Sequence, residues 1–162
     1  MADLTNLETK LGEVIGLAMA AQAATERVEK LTKDPKLVSA LRKMRKEAAQ
    51  AEKDGTAVAS SLNGKKSKIL AEARTVKTKG ATMMKTYLER GSDDLDGFEF
   101  LTMAEAAEVG HWSVLDELNK QAKHPGIRQL TKVQIPIQRR HLKEAMAGSL
   151  TLAAKEDANG TE

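Results

Sequence analysis

The stretch FEFLTMAEAAEVGHWSVLDELNKQA, residues 98–122, carries the pattern that decides how this chain folds. Alternating steps of three and four residues along it give Leu101, Ala104, Glu108, His111, Leu115, Leu118 and Ala122. That spacing turns one side of a helix toward a core. Glu108 and His111 interrupt the stripe where apolar residues are expected. A buried charge is costly without a partner, so this pair should meet water, another polar group or a metal ion. Glu-x-x-His on an inward face is also a unit from which metal sites inside helical bundles are built.

The same period extends outward on both sides. A first helix is expected from about Asp3 to Leu31, with Leu4, Leu7, Leu11, Val14, Ala18, Ala21, Thr25 and Val28 on one face. Asp34-Pro35 supplies an N-cap and a preset first turn for a second helix. Its stripe is Leu37, Leu41, Met44, Ala48, Ala51, Val58 and Leu62; Asn63-Gly64 ends it, and Gly55 offers an earlier break. A basic third piece, Lys65 to Arg90, places Ile69, Ala73, Val76, Gly80, Met83, Met84 and Tyr87 on its apolar side. Gly91 and Ser92-Asp93-Asp94 stop that piece and cap the next. His124-Pro125-Gly126 breaks before a last helix, about Ile127 to Ala154. Short connectors imply antiparallel neighbours, so the chain reads as an all-α, up-and-down bundle with one additional helix. Residues 1–155 are expected to form one domain and 156–162 a frayed tail.

A second polar face lies on the last helix. Thr131, Gln134, Gln138, His141, Ala145, Gly148 and Leu152 share one side, and Gln138-x-x-His141 repeats the Glu108-x-x-His111 spacing. Pro136 removes a donor one turn from His141, which predicts a kink or bulge there. Glu47 with Gln50 offers the same spacing on the second helix, and Glu13 and Gln22 lie off the best stripe of the first.

The phrases EAAEVGHW (105–112) and IPIQRRHL (135–142), within four helices and a connecting one, resemble the ferritin-like superfamily, in particular its small bacterial members. The resemblance covers roughly residues 4–152, with specific motifs in the second half. It implies a four-helix bundle in which each half gives one Glu and one Glu-x-x-His to two iron or manganese ions. By position, Glu13 would be the first Glu, Glu47 with Gln50 the first pair, Glu105 or Glu108 the second Glu, and Gln138 with His141 the second pair. Gln50 replaces a histidine and Gln138 a bridging carboxylate, while His111 is an addition. Two divalent ions need more carboxylate charge than this set offers. One Fe, Mn or Zn ion on Glu108, His111 and His141, completed by Glu105, Glu47 or water, is the metal-bound expectation. The metal-free expectation is a hydrogen-bonded remnant of the same residues.

Composition narrows the remaining classes. The chain has 162 residues and no cysteine, which excludes disulfides, Cys-ligated zinc and iron–sulfur clusters. No apolar run reaches the roughly 20 residues that span a bilayer, and the opening residues lack a secretory pattern, so a cytoplasmic protein without membrane contact is expected. Lys65, Lys66, Lys68, Arg74, Lys77, Lys79 and Lys85 read as a solvated outer face rather than a nucleic-acid surface, because no aromatic platform accompanies them. His124 is expected to face solvent in its turn. Tyr87, Phe98, Phe100 and Trp112 are expected to pack the junction of the connecting helix with the next. Ala18, Ala20, Ala21, Ala23 and Ala24 permit close helix approach and motivate a homodimer. The leading expectation is a binding or stress-associated module. Its rivals are a metal-dependent oxidase or peroxide-consuming enzyme and a nucleic-acid binder acting through the basic helix.

Overall fold

A computed structural model describes residues 3–161. They form helices α1 (Asn6–Leu31), α2 (Pro35–Ser60), α3 (Lys66–Tyr87), α4 (Asp94–Ala122) and α5 (Pro125–Ala153), with no strand among the described residues. None of the helices is long and apolar enough to cross a membrane.

Local chemistry explains the boundaries. Thr5 with Glu8 and Asp93 with Asp96 make reciprocal capping boxes at α1 and α4, and Asp34 caps α2 ahead of Pro35. Left-handed residues end the other segments: Asn63 and Gly64 after α2, Gly91 after α3, and Lys123 after α4. His124 is not a free loop side chain. Its Nδ1 accepts the Ile127 N–H, and Asn119 bonds both its backbone N–H and its carbonyl, so the two residues lock the α4–α5 corner. The expected bulge at Pro136 does not form: α5 is α-helical throughout, and Pro136 sits on its exposed side.

α1, α2, α5 and α4 make a closed ring of neighbours, while α3 lies outside it, chiefly on α1. Contacts fix the directions. Ile15 meets Gly55, Gly97 meets Val28 and Phe98 meets Gly148, so successive members of the ring run antiparallel. α3 runs parallel to α1, because Gly12 abuts Ile69, Gly16 abuts Ala73 and Ala20 abuts Gly80. It returns the chain along the ring so that α4 can descend beside α1.

α1 is consequently buried on two sides. The sequence pattern shows the Leu11–Val14–Ala18–Thr25–Val28 face, whereas Gly12 and Gly16 form a second face beneath α3. Of the five α1 alanines, Ala18 and Ala24 are buried within the chain, Ala20 touches the Gly80 position, and Ala21 and Ala23 are half-buried. Gly55 does not break α2. It is buried against Ile15, where a Cβ would lie 2.7 Å from Ile15 Cγ1.

Two apolar clusters result. One joins Leu11, Ile15, Ala51, Trp112, Leu115 and Ile127, and the other joins Val28, Leu41, Phe98, Leu101, Ala145 and Leu152. The aromatics divide accordingly. Phe98 packs under Gly148 of α5, Trp112 belongs to the opposite cluster, and Tyr87 stacks on Phe100 with ring centroids 6.0 Å apart. Of these aromatics, that last pair joins the connecting helix to α4.

Candidate functional site

Between the two apolar clusters lies a belt of polar side chains. Glu105 and Glu108 of α4 and Gln134, Gln138 and His141 of α5 are all buried. Glu47 of α2 reaches the belt from its half-buried flank. On α1, Ala18 is buried and Gln22 donates to Glu52 of α2.

The buried heptad of α4 is Phe98, Leu101, Glu105, Glu108, Trp112, Leu115 and Asn119. The helix is thus rotated from the sequence expectation, which placed Ala104, His111 and Leu118 on that line. Trp112 is fully buried, and its large ring sets the rotation, because burying it outweighs exposing alanine. His111 is carried to the neighbouring face. Its side chain is 41% exposed, with Nδ1 3.1 Å from Glu13 Oε2 and 3.2 Å from Lys10 Nζ. His111 and His141 therefore do not converge, and the Glu108–His111–His141 ligand set is corrected. Glu13 is likewise spent at this surface, where it pairs with Lys10 and His111. Gln50 is exposed and donates to Asp54 Oδ1 at 2.8 Å.

The structure brings together a different set: Glu47, Glu105 and His141. His141 Nε2 lies 3.4 Å from Glu47 Oε2, and its Nδ1 lies 3.6 Å from Glu105 Oε2. The imidazole thus stands between two carboxyl groups, one on each ring nitrogen. Arg140 supplies what the sequence reading missed. Its Nη2 donates to Glu47 Oε2, and its Nη1 donates to Glu144 Oε1 at 3.4 Å. The available signal was Arg140-x-x-x-Glu144, an ion-pair spacing beside the polar face.

Charge at the site follows burial and these partners. Burial pushes the Glu108 carboxyl well above its ordinary value of 4.5, and the adjacent Glu105 raises it further. The Trp112 indole offsets part of that rise without making a well-formed hydrogen bond. Burial also acts to raise Glu47, but Arg140 and then His141 hold it below the usual carboxylate range. Several buried atoms lack hydrogen bonds, namely Glu105 Oε2, Gln138 Oε1, His141 Nε2 and Trp112 Nε1. Gln138 donates only a long bond of 3.4 Å to Gln134 Oε1.

The raised Glu108 carboxyl has a stability consequence. A folded-state value above 4.5 means the native chain holds this proton more tightly than the unfolded chain does. That contribution is fully present below 4.5 and is lost as pH rises toward the folded-state value. Glu108→Leu should therefore stabilise the protein at neutral pH by about 1–2 kcal/mol and flatten stability against pH above the carboxylate range. Urea titrations of both proteins at several pH values check this. A leucine variant less stable than wild type at pH 7 would contradict it.

No family model, curated protein or solved structure matches the chain. Among the described residues no three His, Asp or Glu side chains gather as an ion site. The reason is visible at His141, whose two nitrogens address carboxyls on different sides instead of sharing a point with them. Two ions do not fit this set: Glu13 and Gln50 face away, Gln138 is neutral, and Arg140 occupies Glu47.

Proposed function

We propose that the protein is a ferritin-like helical bundle acting as a binding module rather than as a metal-dependent enzyme. The ring of four helices, the returning helix on its outside and the polar belt at mid-height support the ferritin-like reading. The observation that carries the loss of metal chemistry is the Arg140 guanidinium on Glu47. A protein-borne cation sits on the carboxylate that the resemblance assigns to an ion. This ion pair compensates the Glu47 carboxylate without any metal. His141 Nδ1 faces Glu105 Oε2 across 3.6 Å, and Glu108 lies beside Glu105.

The test is an elemental inventory of untagged protein after incubation with Fe(II), Mn(II) and Zn(II). The expected result is a folded protein with far less than one ion per chain. Arg140→Leu should be destabilised by about 1 kcal/mol, a modest value because that side chain is 35% exposed. Added Mn(II) should restore part of the melting temperature in that variant alone. Near-stoichiometric metal in the wild type, lost in His141→Ala, would overturn the proposal in favour of a mononuclear oxidase or peroxide-consuming enzyme.

A further inference from the structure

The small residues that bring α3 close to α1 also leave a space beside α4. α3 touches α4 only marginally, and a cavity of about 110 Å³ lies among the three helices. Its walls include Ala20, Ala24, Gly80, Met84 and Ala104, and its inner end is formed by Glu105 and Glu108. Burial gives the cavity a direction. Both acids are buried, whereas Ala81, Met83 and Ala107 at its border are exposed.

We infer that this cavity is a binding site for a small, neutral, apolar molecule carrying one hydroxyl group, of about the size of phenol, with that hydroxyl against the Glu108 carboxyl. The space is smaller than the roughly 150 Å³ apolar cavity that holds benzene. It opens to solvent at Ala81, Met83 and Ala107, so a single ring can sit in it with one edge outside. The wall is almost wholly aliphatic, which favours an uncharged body. Two neighbouring acids at the inner end disfavour a carboxylate ligand, and an ammonium would lose its hydration to apolar walls. A hydroxyl suits the inner end whatever the state of the carboxyl, because it donates to a carboxylate and accepts from a carboxylic acid. The side chains themselves point the same way. The small residues Ala20, Gly80 and Ala104 keep the space open.

The inference rests on reading the protein as a binding module and adds the class of ligand. Phenol and toluene, nearly equal in shape, are the probes, read by amide resonance shifts in the intact protein. Phenol is expected to bind at least tenfold tighter than toluene and to shift resonances around Ala20, Gly80 and Ala104. Glu108→Leu should erase that preference while retaining toluene, and Ala104→Phe should abolish binding of both. Absence of binding, shifts confined to other helices, or a phenol preference surviving in Glu108→Leu would each overturn the site. Should Ala104→Phe fail to fold, the location of the wild-type shifts decides. Stoichiometric metal in the ion inventory would defeat the metal-free reading separately, so the two failures are distinguishable.

Discussion

Trp112→Ala should destabilise the protein by about 3–5 kcal/mol and lower its melting temperature by about 10 °C or more. Trp112 is completely buried among Leu11, Ile15, Leu115, Ile127 and Leu130, so it ties α4 to α1 and α5. Its removal leaves a cavity that rigid helices cannot close. It also removes the indole that partly offsets the cost of burying Glu108. Val114→Ala, on the same helix but largely exposed, should change stability by less than about 0.5 kcal/mol. Urea denaturation of both variants at constant slope is the measurement. A loss below about 1 kcal/mol in Trp112→Ala would show that this end of the ring is not packed around the indole.

Gly16→Leu should cost about 3 kcal/mol and release α3 from its seat. A Cβ at Gly16 would already lie 2.4 Å from the Ala73 carbonyl oxygen and 2.7 Å from Val76 Cβ. Backbone atoms cannot step aside as a flexible side chain can, so the helices must separate. The contrast is Gly110, which is exposed on α4 with no heavy atom within 4 Å of an added Cβ. Gly110→Ala should therefore stabilise by about 0.5–1 kcal/mol through helix propensity alone. Thermal melts give both signs, and limited trypsinolysis at the lysines of α3 reports its release. Wild-type stability in Gly16→Leu would refute the close α1–α3 crossing.

These contrasts also show how legible the chain was. The α5 face of Thr131, Gln134, Gln138, His141, Ala145, Gly148 and Leu152 was readable in full, because each of these residues proves buried. On α4 the apolar period gives Leu101, Glu108 and Leu115, which are buried, but Ala104 and Leu118 in place of Glu105 and Asn119. An apolarity count rewards the alanine and the leucine. The structure instead buries Asn119, since it satisfies both backbone groups of His124 at the corner. Glu105 is buried because His141 arrives from another helix to face it. Neither partner is visible from α4 alone.

The candidate site divides in the same way. Glu47, Glu105, Glu108, Gln138 and His141 were all named from spacing or resemblance, and all five reach the belt or its flank. His111 and Glu13 instead pair with each other at the surface. A rotation of α4 by less than one residue carries His111 off the buried line that Glu108 and Trp112 occupy, since successive residues lie about 100° apart.

Helix content, helix boundaries and the polar interruption of two apolar faces were determined by the sequence itself. They depend on caps, breakers and a period of 3.6, all of which act within a few residues. Tertiary structure decided the rotation of α4, the guanidinium on Glu47, the seat of α3 on Gly12 and Gly16, and the cavity beside Glu108. Those features arise where side chains distant in sequence compete for the same buried space, and only packing ranks such competitors.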